Sequence, residues 1–168
     1  MRSNEQRYRD RVEQNDAHDR ELVDDHLSSS VQTDDPTSNQ RNQDEIAERF
    51  MRSLQQIEVT GDVEPLVALF ADNADVLNLA MSEPLQGQQH IRQFWQKYLS
   101  VFDRIHSRFT HVAEGNGTIT LEWISEGALS SGEPFSYRGV SILETKNGRV
   151  QHFRTYYDSA AFLPQGAK

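Results

Sequence analysis

Arg138 is the residue whose type and position most clearly suggest chemistry. It alternates with Val140 and Ile142 along one β-rich run, while Phe153, Thr155 and Tyr157 alternate along the next. Asn147-Gly148 stands between the two runs, and this dipeptide accepts the two positive φ values of a type I′ turn, so the runs read as one long antiparallel hairpin. Counted back from that turn, Arg138 falls on the side of Phe153 and Tyr157, with Trp123 on the run before. A guanidinium among such walls would orient a carboxylate, enolate or phenolate on an otherwise apolar ligand. Glu122 and Glu126 alternate on the preceding run, and either could instead pair with Arg138 across the ladder, as a solvated or dimer-face ion pair of little energetic weight. Asp158 is expected to cap the chain as it turns into residues 160–164. The six histidines show no pair at ligand spacing with a carboxylate, and Gly115-Asn116-Gly117 has the character of a turn and not of a phosphate loop. No metal and no other cofactor is expected.

The elements that must position these groups follow from periodicity. Ile46, Ala47, Phe50, Met51, Leu54 and Ile57 recur at three and four residues and form the apolar stripe of a helix that starts near Asp44 and that Gly61 ends. Asp62 is a suitable N-cap, and Pro65 a tolerated first-turn residue, for a short second helix reaching Phe70. Residues 75–79 are short and β-prone, and Ser82-Glu83-Pro84 breaks that run. A third helix over residues 88–103 gathers Ile91, Phe94, Trp95, Tyr98, Leu99 and Phe102 on one side. From Ile105 the period becomes two, with runs over 105–113 and 118–127 ahead of the hairpin. Three helices followed by a mainly antiparallel meander is an α+β order, in which a strongly bent sheet must wrap its apolar face around the helices.

With 168 residues and 36% hydrophobic content, the chain suits one domain plus a tail. Residues 1–43 are dominated by Asp, Glu, Arg, Gln, Asn and Ser without an apolar stripe, and read as a disordered polar tail and linker ahead of a domain over 44–164, with 165–168 as the C-terminal end. The start lacks an apolar leader-like segment, no run is long enough to cross a bilayer, and there is no cysteine, which together predict a cytoplasmic protein. A net charge of -9 with scattered lysines and arginines argues against nucleic acid and anionic membrane surfaces as partners.

The turn Lys146-Asn147-Gly148-Arg149-Val150 followed by Phe153-Arg154-Thr155-Tyr156-Tyr157-Asp158 resembles the closing hairpin of the nuclear transport factor 2-like superfamily, and within it the SnoaL-like polyketide cyclases and ketosteroid isomerases. The resemblance covers about residues 44–164 and implies a cone-shaped fold with an internal pocket at its open end. The segment around residues 75–94 is similar to the ketosteroid isomerases, including Ser82-Glu83-Pro84 before the long helix, and Gly61-Asp62 matches the end of their first helix. On that alignment their aspartate base falls on Asn78, their oxyanion-binding tyrosine on Leu54 and their protonated aspartate on Val140. An amide does not abstract a proton at neutral pH, and neither Leu54 nor Val140 can donate to an enolate. Compared with the limonene epoxide hydrolases, Thr155 stands at the catalytic aspartate and Trp123 and Ser125 at their arginine and aspartate. SnoaL-like cyclases use an aspartate and a histidine, and His111 is the histidine that could face inward.

The pocket implied by these readings takes Leu54 and Phe94 from the helices and Val76 and Asn78 from the short strand. Trp123, Ser125, Arg138, Val140, Phe153, Thr155 and Tyr157 come from the long strands. Two functions remain open. One is acid-base transformation of a small apolar or polycyclic molecule, by cyclisation, isomerisation, dehydration or epoxide opening, with Asn78, Arg138, His111 and Tyr157 as its polar groups. The other is a non-catalytic ligand-binding or protein-interaction module. His152, Arg154 and Tyr156, with Ile124 on an adjacent strand, form a mixed outer face expected to pair two copies as a homodimer.

Overall fold

The computed structural model describes residues 36–163, so residues 1–35 of the expected tail lie outside the described residues. Helix α1, Pro36–Thr60, begins within the stretch expected to be linker. Pro36 suits this first turn, because its fixed φ is helical and its missing N–H would have no intrahelical partner there. The predicted stripe is buried, from Ile46, Ala47 and Phe50 through Leu54 to Ile57. Gly61, at φ 74°, ends the helix, with its N–H donating to the Ile57 carbonyl at 2.8 Å.

Helix α2, Glu64–Val67, is shorter than its sequence suggests, and its N-cap is Val63 and not the expected Asp62, whose carboxylate accepts from the Glu64 N–H at 3.1 Å just ahead of the helix. Ala68 and Leu69 form a turn, and Phe70, assigned to the helix end, instead opens strand β1, Phe70–Asn78, where it is fully buried. A two-residue strand β2, Leu85–Gln86, and helix α3, Gln88–Ser100, follow. Strands β3 (Phe102–Gly115), β4 (Thr118–Leu129), β5 (Pro134–Lys146) and β6 (Arg149–Tyr157) complete the sheet, and a 3-10 turn, Ser159–Phe162, closes the described chain. Asp158 caps that turn by accepting from the Ala160 N–H at 3.0 Å.

The strand order is β2-β1-β6-β5-β4-β3. Only β1 and β6 pair in parallel, and the sheet is bent but not closed. Its concave face holds α1 and α3 in an α+β cone. Phe50, Phe70, Ile91, Trp95 and Phe153 meet in the narrow end, where the Phe153 ring lies 5.6 Å from Phe50 and 5.2 Å from Trp95. Among the described residues, no helix is long and apolar enough to cross a membrane.

The Asn147-Gly148 turn has φ 53° and 71°, as a type I′ hairpin requires. Next to it, however, the register slips. Lys146 pairs with Arg149 and Thr145 with Val150, but Glu144 pairs with His152, so Gln151 is the extra residue of a β-bulge. Beyond the bulge Leu143 faces Phe153, Ser141 faces Thr155 and Gly139 faces Tyr157. A slip of one residue exchanges the two faces of a strand. Arg138 and Val140 therefore lie on the convex outer face, contrary to the sequence reading, and Tyr137, Gly139 and Ser141 take the inner one.

At the far end of β3, Glu114 is held against Asp44 and Glu48 of α1. Burial, then hydrogen bonding to Asp44 and the charges of Asp44 and Glu48, raise its carboxyl from 4.5 to about 7. A carboxyl whose folded-state pKa is raised contributes stability below its unfolded value, and that contribution is lost as pH climbs from about 4.5 through 7. Glu114→Gln should thus stabilise the fold at pH 8 by about 1 kcal/mol after solvent screening, seen as a higher thermal midpoint, and leave it nearly unchanged at pH 4.5. Equal effects at the two pH values would refute this account of the contact.

Candidate ligand-binding site

Between the helices and the concave face lies a cavity of about 820 Å³. Phe50 and Leu54 of α1, Phe94, Trp95 and Tyr98 of α3, and Trp123, Tyr137, Phe153 and Tyr157 of the sheet form its walls. Phe162 on the terminal 3-10 turn completes one side, its ring 5.0 Å from that of Tyr137. The rim is the loop after β1, from Asn78 to Leu85, with Gln93 and Lys97 of α3.

Two sets of polar groups interrupt this apolar lining. In the first, the Trp123 indole N–H donates to the Ser141 hydroxyl at 3.0 Å, and Ser141 in turn lies 3.0 Å from the Thr155 hydroxyl. Gly139 makes this geometry possible. The Trp123 ring lies over it so closely that a Cβ there would sit 2.5 Å from the indole Cζ2. The second set centres on Glu58, one turn after Leu54 on α1. Its carboxylate accepts from the Tyr98 hydroxyl at 2.7 Å, the Ser107 hydroxyl at 2.5 Å and the Ser107 N–H at 2.8 Å. Ser107 also meets the Ser125 hydroxyl at 2.6 Å, while Gln55 donates to the Ser107 carbonyl at 2.9 Å and ties α1 to β3.

Tyr98, Ser107, Ser125 and Tyr137 line the cavity, and Glu58 stands behind them. Burial, followed by the charges of Tyr137 and Glu58, holds the Tyr98 hydroxyl well above the usual phenol range. Burial does the same to Tyr137, aided by Glu58 and Tyr157, while Tyr98 and Ser125 act in the opposite direction. Both rings are therefore neutral phenols. Trp95, nearly fully buried, has an indole N–H without a hydrogen-bond partner among the described residues.

Of the sequence-predicted positions, Leu54, Asn78, Phe94, Trp123, Ser125, Phe153, Thr155 and Tyr157 come together on this cavity. Four others do not. Val76 is fully buried beside Phe153 in the core and has no face on the cavity. Arg138 is exposed opposite Ile124, and Val140 lies opposite Tyr156 on the same convex side, both displaced by the bulge. His111 is exposed opposite Glu122, next to a second register shift between Phe109 and His111. Asn78 stays at the rim, with its side-chain carbonyl accepting from the Ala80 N–H at 3.0 Å, so it shapes the loop. Glu122 and Glu126 face Val140 and Ser136, not Arg138.

Sequence reasoning missed Glu58, Tyr98, Ser107, Tyr137 and Ser141 as site residues. Glu58 carried a signal, since it lies four residues beyond Leu54 and so prolongs a buried stripe with a carboxylate. Among the described residues, no three histidine or carboxylate side chains converge as metal ligands.

The family described as SnoaL-like domain matches residues 47–153. No curated protein matches the chain. Among solved structures, a nuclear transport factor 2-like protein from Anabaena variabilis superposes with a TM-score of 0.66 at 15% identity, covering 82% of this chain and 98% of that one. A protein with a ketosteroid isomerase-like fold from Catenulispora acidiphila, solved with trimethylamine, gives a TM-score of 0.60 at 17% identity, over 70% of this chain and 88% of that one. An LEH-like epoxide hydrolase from M. tuberculosis gives 0.55 at 14% identity, over 70% and 83%. At these identities the likeness is one of fold.

Proposed function

Because the chain belongs to the SnoaL-like domain family, we propose that it binds a small apolar or polycyclic molecule in the cone, with one polar end against the hydroxyl groups of the wall. The observation that carries this reading is the cavity itself, about 820 Å³ walled by aromatic rings and interrupted by hydroxyls, among them those of Tyr98, Ser107, Ser125, Tyr137, Ser141 and Thr155. Acid-base transformation of the ligand is the second reading. It is favoured by Glu58, a carboxylate one hydrogen bond from two cavity-lining hydroxyls, and by the fold shared with an epoxide hydrolase. Steroid-type isomerisation through Leu54, Asn78 and Val140 has no support, since the Asn78 amide is no base and neither Leu54 nor Val140 can donate to an oxyanion.

We also propose a homodimer formed through the convex face. Val140, Ile142 and Tyr156 make an apolar strip there, flanked by the ion pairs Arg154–Glu144 at 2.8 Å and His152–Asp75 at 2.9 Å. The lack of cysteine suits a reducing, cytoplasmic setting.

Native mass spectrometry of the purified protein tests both proposals at once. A co-purifying mass of a few hundred daltons per chain, on a dimer, is expected. The chain's two tryptophans, Trp95 and Trp123, both line the cavity, so titration with that compound should alter intrinsic emission. Absence of any bound or bindable apolar compound would sink the ligand reading, and a monomer at high micromolar concentration would sink the dimer.

A further inference from the structure

The hydroxyl protons on the Glu58 side of the cavity can be assigned one by one. A carboxylate only accepts, so the Tyr98 and Ser107 hydroxyls must each direct their single proton at Glu58. With the Ser107 proton committed, the 2.6 Å contact between Ser107 and Ser125 has to be donated by Ser125. Three protons thus run towards Glu58 and away from the cavity, two of them directly and that of Ser125 through Ser107, so the Tyr98 and Ser125 oxygens keep both acceptor positions and Ser107 keeps one. On the opposite side, Ser141 and Thr155 share one hydrogen bond and retain one uncommitted proton between them.

From this order we infer that the Glu58 side of the cavity is an acceptor surface that selects ligands carrying a hydroxyl or amine hydrogen, and discriminates against the matching ether or carbonyl. The inference rests on the cavity being a ligand site. Glu58 does not line the cavity itself. It is a positioning residue that fixes the direction of the chain, and a ligand oxygen without a hydrogen would meet lone pairs there and leave them unpaired. The aromatic walls supply affinity without regard to this direction, so the polar preference separates from binding as such.

The test is calorimetric titration of the full chain with 2-naphthol and with 2-methoxynaphthalene, which share a ring system and differ in the hydroxyl hydrogen. 2-Naphthol is expected to bind about tenfold more tightly, the scale of one net hydrogen bond. Glu58→Gln keeps the length but lets the terminal group donate as well as accept, so the chain loses its fixed direction. The preference should fall to about threefold or less, with the ether gaining and the naphthol losing. Should Glu58→Gln fail to fold, Ser125→Ala removes a link at the cavity end and is expected to reduce the preference in the same way. Binding of neither compound would overturn the ligand-site reading and this inference with it. Equal affinities in the unmodified protein would overturn the inference and leave the site standing. A preference unchanged in the variants would show that the chain does not set the selectivity and would overturn it too.

Discussion

Phe153→Ala should destabilise the domain by about 3–5 kcal/mol, the usual loss for a fully buried aromatic ring. The side chain is 2% exposed, and its ring lies within 5.2 to 6.3 Å of the rings of Trp95, Phe50, Phe94 and Phe70. It joins both helices to β6, so the cavity left behind cannot close without moving an element. Tyr156, the next aromatic on the same strand, is 47% exposed on the convex side, and Tyr156→Ala should cost the monomer well under 1 kcal/mol. Denaturant midpoints of the two variants at equal m-value give the comparison. Similar losses would mean that the inner and outer faces of β6 have been exchanged.

Gly139→Ala adds one methyl group and should still cost about 1–3 kcal/mol, as overpacking of a filled site does. The new Cβ would lie 2.4 Å from the Tyr156 carbonyl oxygen, which is backbone, and 2.5 Å from the Trp123 ring. The carbonyl belongs to the ladder between β5 and β6 and cannot yield cheaply, so the indole must turn and release its 3.0 Å bond to Ser141. Two readouts should change together, the midpoint of unfolding and the emission of Trp123. Gly115→Ala is the matched control, since nothing stands within 4 Å of its added Cβ, and it should be nearly silent. A silent Gly139→Ala would mean that Trp123 does not lie over β5.

What could be read from the residues was the part governed by local pattern. The stripe from Ile46 to Ile57 and the Asn147-Gly148 turn are written in spacing and in turn chemistry, and both have their expected form. The phase of β5 was not legible. Nothing in Gln151 marks it as a bulge, and a single unpaired residue reverses the facing of every position beyond it. Arg138 was accordingly read as the cation of the pocket, whereas Ser141 and Tyr137 hold the inner positions. The Glu58 cluster escaped for another reason. Its members come from α1, α3, β3 and β4, and serines at inward strand positions look like ordinary strand residues until the partner across the cone is known.

The parallel pairing of β1 with β6 also bears on how the chain reaches its native state. Asp75 and His152 meet across that pairing although 77 residues separate them in sequence. Closing so long a loop has an entropic cost that no local contact offsets in advance, which places the domain among topologies that fold slowly for their size. During synthesis α1, α2 and β1 leave the ribosome well before β6 exists, and until then β1 has only the two residues of β2 as a sheet neighbour. The inner wall carried by β6, with Phe153, Thr155 and Tyr157, is thus among the last parts to form, and the cavity comes into being only when the chain is almost complete.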